Sequence, residues 1–246
     1  MDMFFAEEES HSDVKALCQQ VIRIFFTKLV EGPTLGRKPL QVVQDAVPRA
    51  AINNLPTMYT IALNCLYTKR YNQIVYQFAH ELTHVFISPY VVHPLAEIFA
   101  CAASLAMLDA IADEWSMHSD QRVVEYASKF REYKNRVVEQ ATSHIDLAHE
   151  PIQDWCKTCQ IDCEDRTAQL LAAQQVAKRM NSLESWSPFR MVFAGILENS
   201  QGGESNPWRS SVSTAKWRQA CEKSKNCASI DVELIDEIQI LFNLPD

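Results

Sequence analysis

With only five glycines in 246 residues, this chain has few positions free to make the tight, positive-φ turns on which sheet-rich folds depend. Apolar residues recur instead at helical spacing, so the chain reads as helix-rich. From Ser12, the residues Val14, Leu17, Cys18, Val21, Ile22, Phe25 and Leu29 follow the helical period until Gly32 and Pro33 stop it. Two short strands are expected next, "LQVVQ" at 40–44 and "MYTIALNC" at 58–65, separated by the turn Asn53-Asn54-Leu55-Pro56. A helix then spans 71–87 and must end ahead of Pro89. Pro94 opens the following one, "PLAEIFACAASLAMLDAIADEW", which is apolar nearly all round and therefore buried on most sides.

Helical spacing continues over 119–148 and 151–181, then over 187–197, 213–226 and 229–243. The stretch "ENSQGGESNPWRSS" is the one long polar, glycine-containing segment, which marks a loop or boundary near 199–212. The expected fold class is α+β and helix-rich. A core over 1–117 holds a small sheet, and a helical region over 118–246 packs on it.

A hydrophobic content of 47% is enough for a sizeable core, while a net charge of -8 argues against direct contact with nucleic acid. The opening "MDMFFAEEESHSD" has no basic n-region and no long apolar run, so no secretory leader is expected. No stretch reaches the roughly 18 uncharged apolar residues of a membrane span, and a cytoplasmic, membrane-free protein is expected. In that compartment the eight cysteines are expected as reduced thiols.

The chemistry concentrates in "YQFAHELTHVF" at 76–86. On a helix, His80 and His84 are about 40° apart in projection, so both imidazoles leave one face and reach one ion. Glu81 follows the first histidine, completing the H-E-x-x-H pattern of zinc peptidases. Each residue type has a reason. Neutral imidazole ligates zinc near pH 7, and a carboxylate beside the metal takes a proton from water. Catalytic zinc usually has three protein ligands. Glu97, in the first turn of the next helix, is the third candidate, with His93 in reserve. The competing plain reading is an amphipathic helix that happens to expose two histidines.

Together, "YTIALN", "NQIVYQFAHELTHVF" and "EIFACAASLAML" make residues 55–110 similar to the minimal zinc-peptidase domains of the ImmA/IrrE type, a gluzincin-like branch of the zincins. That resemblance implies a zincin-like metallopeptidase core, a small sheet plus an active-site helix, over 1–117. It implies Zn2+ held by His80, His84 and Glu97, with Glu81 as catalytic base. The implied activity is zinc-dependent endopeptidase cleavage of a protein or peptide partner, and the alternative is a zincin-derived regulatory or protein-binding module without catalysis. Thr83 stands where such helices often have glycine, and Cys101 where asparagine is frequent. In zincins an edge strand beside the active-site helix pairs with extended substrate, a role expected here of 58–65. Tyr90, His93, His118, His144 and His149 are candidate donors to a developing oxyanion.

Other signals have plainer explanations. Cys156, Cys159 and Cys163 share a helical face and could hold a second metal with Cys221 or Cys227, but the spacing is that of a core stripe. The basic residues of 122–139 alternate with Glu125, Glu132 and Glu139, as on a solvated helix.

Overall fold

The computed structural model describes residues 3–5, 12–28, 39–52, 58–87, 94–142 and 166–182. Among them are four strands, β1 (Met3–Phe5), β2 (Leu40–Gln44), β3 (Arg49–Ile52) and β4 (Tyr59–Leu63). Five helices accompany them: α1 (Ser12–Lys28), α2 (Tyr71–Ile87), α3 (Pro94–Ser116), α4 (Gln121–Thr142) and α5 (Arg166–Ser182). The fold is helix-rich α+β, as the spacing predicts.

The strands form one mixed sheet in the order β1-β2-β4-β3, parallel except for β3. Segment β1-α1-β2 is a crossover unit, since parallel neighbours cannot be joined by a hairpin. Two strands are too short to announce themselves in the sequence. β1 is three residues, and β3 is "RAAI", whose alanines carry little strand preference; pairing with β4 overrides it. This corrects the expected role of 58–65. β4 lies between β2 and β3, with both its edges hydrogen-bonded, and among the described residues β3 is the sheet's edge on that side.

Helix α2 packs on β3 and β4, on α1, and on α3. Its entry is pinned by side-chain amides. Gln77 Oε1 accepts from the Asn64 backbone N–H at 3.1 Å while Gln77 Nε2 donates to Asn64 Oδ1 at 2.6 Å. Gln44 Oε1 accepts from the Leu66 N–H at 2.9 Å, tying the end of β2 to the same connection. These bonds satisfy backbone groups between strand and helix and fix where α2 begins.

Helix α3 is surrounded by α1, α2, α4 and α5, which is what its unbroken apolar surface requires. Ala96, Ala100, Ala102 and Ala106 are fully buried, and such small side chains let neighbouring helices approach closely. A single core runs from Met3 through the sheet and α1–α3 to Phe130 on α4 and Met180 on α5. Lys134 Nζ and Asn181 Nδ2 both reach Asp109 Oδ2, the latter at 2.7 Å, joining α4, α3 and α5. Among the described residues, no helix is long and apolar enough to cross a membrane. The expected helices at 187–197, 213–226 and 229–243, the 199–212 boundary and the Cys156–Cys159–Cys163 stripe lie outside the described residues.

Candidate metal centre

His80 and His84 project from one face of α2, with ring centroids 4.9 Å apart and the rings edge to face. Their Nε2 atoms are 3.2 Å apart. Helix α3 delivers Glu97 from its first turn between them: Oε2 is 3.3 Å from His80 Nε2 and Oε1 is 3.2 Å from His84 Nε2. Three donors from two helices thus converge on one point, all their ligand atoms lying within 4.8 Å of one another. The three side chains are mostly shielded, with 18% of His80, 12% of His84 and 28% of Glu97 exposed.

The separations are close to those around a tetrahedral ion, the two Glu97 contacts being made by different oxygens of its carboxylate. Donors each about 2.0–2.1 Å from zinc stand about 3.3 Å apart. Two imidazoles and a carboxylate also match the donor chemistry of a catalytic zinc site that keeps a fourth position open.

Electrostatics favour opposite charges on His80 and Glu97. Burial disfavours a charge on His80, yet its contact with Cys101, the Glu97 carboxylate and the nearby charge of Glu81 outweigh that penalty and hold it well above 6.5. Burial also works against ionised Glu97, but the bonds to His80 and His84 keep it far below the usual carboxylate range. The metal-free pair is therefore favoured as imidazolium and carboxylate.

Glu81 follows His80 on α2 and is only 5% exposed. Thr83 is also buried and donates its hydroxyl to the Ala79 carbonyl at 2.8 Å, which accommodates it without an unpaired polar group. Glu97, His80, His84 and Glu81 thus all fall on the α2–α3 pair expected to carry them. His93, Tyr90, His144 and His149 lie outside the described residues. His118 is a correction: it sits in the turn after α3, accepting from the Asp120 N–H at 3.0 Å, and so belongs to the start of α4. From Glu97 it is separated by nearly the whole of α3, roughly 30 Å at 1.5 Å per residue.

Two more residues adjoin the centre: Cys101, which the sequence marks only as a departure from the resembled pattern, and Tyr76. Cys101 places its sulfur 3.8 Å from His80 Nδ1, and the Tyr76 hydroxyl is 4.0 Å from that sulfur. Their signal was positional. Cys101 is one turn after Glu97, and Tyr76 one turn before His80. Compared with known proteins, the chain matches no family model, no curated protein and no solved structure. Function is therefore read from the chemistry of the site.

Proposed function

We propose that this chain is a zinc-dependent endopeptidase of the zincin type, acting on a protein or peptide substrate. The observation that carries the reading is the convergence of His80, His84 and Glu97 at 3.2–3.3 Å beside the buried Glu81. His80, His84 and Glu97 bind and fix the ion. When bound, zinc acts as a Lewis acid that polarises a carbonyl and makes a water molecule easier to deprotonate. Glu81 takes that proton and passes it to the departing amine. Its burial keeps bulk water from competing, which strengthens its interactions with charged neighbours. An extended substrate is held by β3 through backbone hydrogen bonds, because β3, the outermost strand among the described residues on that side, packs against α2.

Two histidines and a carboxylate also suit ferrous iron. Glu81 favours hydrolysis, since a water-activating base has a use in a peptidase. The test is Glu81→Gln in the full chain, assayed on unfolded protein substrates with bound metal measured in parallel. The amide keeps the shape but cannot act as a base, so metal and fold should persist while cleavage falls by about 10²–10⁴-fold. Cleavage equal to the parent's would refute the mechanism. A parent that holds zinc and a protein partner but cleaves nothing would make the chain a binding module.

A further inference from the structure

We propose that Cys101 is a positioning residue of this metal centre, holding the Nδ1 edge of His80 so that Nε2 is aimed at the ion. The inference rests on His80, His84 and Glu97 being the ligands. Nε2 of His80 faces Glu97 and His84, which leaves Nδ1 to be satisfied from the other side. There the Cys101 sulfur stands at 3.8 Å from Nδ1. A ligating histidine needs such a partner, because the group on the second nitrogen selects the tautomer and the ring orientation.

Position on the helices makes the contact stiff. Glu97 and Cys101 are one turn apart on α3, and Tyr76 and His80 one turn apart on α2, so the ligand pair and the supporting pair form successive rungs between two helices. A third rung lies one turn further along: Ser104 donates to the Tyr76 carbonyl at 2.9 Å and to the Ala100 carbonyl at 2.8 Å. The Tyr76 ring packs edge to face on Tyr133 at 5.9 Å, with the Arg136 guanidinium 5.3 Å from the centroid of that second ring. Cys101 itself is 7% exposed, so little water reaches the contact.

A thiol has a property that suits the place. It is both a weak donor and a weak acceptor, so it serves His80 in either tautomer. With a proton on Nε2, the S–H donates to the Nδ1 lone pair. With the Nε2 lone pair committed to a cation, Nδ1–H donates to sulfur. The ring therefore need not turn when metal enters or leaves.

The test uses the full chain and three variants, Cys101→Ala, Cys101→Ser and Cys101→Val. Zinc affinity is measured by chelator competition at one pH, cobalt(II) is added to report ligand geometry through its visible absorption, and the metal-free protein is melted. Loss of a partner on the second nitrogen should weaken zinc by about 10-fold, the lower end of such effects for a weak sulfur acceptor. The cobalt spectrum of Cys101→Ala should change while its metal-free melting temperature matches the parent's. Cys101→Ser, which retains a hydroxyl donor and acceptor, should recover part of the affinity. If Cys101→Ala does not fold, Cys101→Val fills the space without an acceptor and should show the same loss. Parent-like affinity and spectrum in the alanine or valine variant would overturn the proposal. So would a loss of affinity matched by a lower metal-free melting temperature with no rescue by serine, which is the signature of packing alone. A parent that takes up neither zinc nor cobalt would remove the metal centre and this role with it.

Discussion

Oε1 of Glu97 stands 3.2 Å from Nε2 of His84, although the two residues belong to different helices and the carboxylate lies thirteen positions further along the chain. Only the packing of α3 on α2 can bring them together. The centre is therefore as stable as that interface, and binding an ion across it should stabilise the interface in return.

That reciprocity gives a thermal prediction. Free zinc at about 100 times its dissociation constant stabilises by about 2.7 kcal/mol, which in a chain of this size raises the melting temperature by about 5–10 °C. A chelator should remove the increment from the parent and have no effect on His84→Ala. Calorimetry of the parent and of His84→Ala, each with zinc and with chelator, checks it, and an equal response in His84→Ala would place the ion elsewhere.

The metal-free centre should have its own pH signature. His80 is raised above its unfolded value of 6.5, so its contribution is complete below that pH and is lost as pH rises through the higher folded value. Glu97 is lowered from 4.5, so its contribution is complete above that pH and is lost as pH falls through the lower folded value. Together they favour the metal-free fold most between the two unfolded values. Zinc must displace protons from the histidines, so its affinity should rise across the upper part of the range. Melting with and without zinc from pH 5 to pH 9 checks both trends; a gap between the curves that does not widen with pH would contradict them.

Much of this was legible before any coordinates. Helix α1 buries Val14, Leu17, Cys18, Val21 and Phe25 as its apolar spacing nominates, with Ile22 half-buried and Leu29 outside the described residues, and the four-residue interval between His80 and His84 sufficed to place both rings on one face. What escaped depended on partners distant in sequence. β3 is a strand because β4 pairs with it, and β4 loses its expected edge for the same reason. Cys101 stands out in the sequence only as a departure from the resembled pattern, and its contact with His80 Nδ1 exists because α2 packs against α3.

Stability and metal binding should separate on the far side of α3. Phe130 is fully buried, its ring 5.0 Å from Trp115 and 5.5 Å from Tyr126. Phe130→Ala should cost about 3–5 kcal/mol. Trp115 is roughly 27 Å along α3 from Glu97 at 1.5 Å per residue. Zinc affinity of the folded variant should therefore match the parent's. Denaturant unfolding and chelator competition measure the two quantities, and a loss of affinity would show that the α4 packing also sets the centre.

The thiols should report burial. Desolvation pushes Cys65 up to about 12, and the Cys18 thiol higher still, with Cys65 adding to the effect. Both are free and buried, so neither should react with a thiol reagent at pH 8 in the folded protein. After denaturation without reductant, the count should approach the eight cysteines of the chain. A denatured count near zero would mean disulfides and would contradict the expectation of reduced thiols.

Elemental mass spectrometry of the purified protein tests the metal centre most directly. The parent should carry about one zinc per chain, as a three-ligand site with one open position holds. His80→Ala, His84→Ala and Glu97→Ala should each retain little of it while remaining folded. Zinc that stays at the parent's level in all three variants, or iron in its place, would contradict the account.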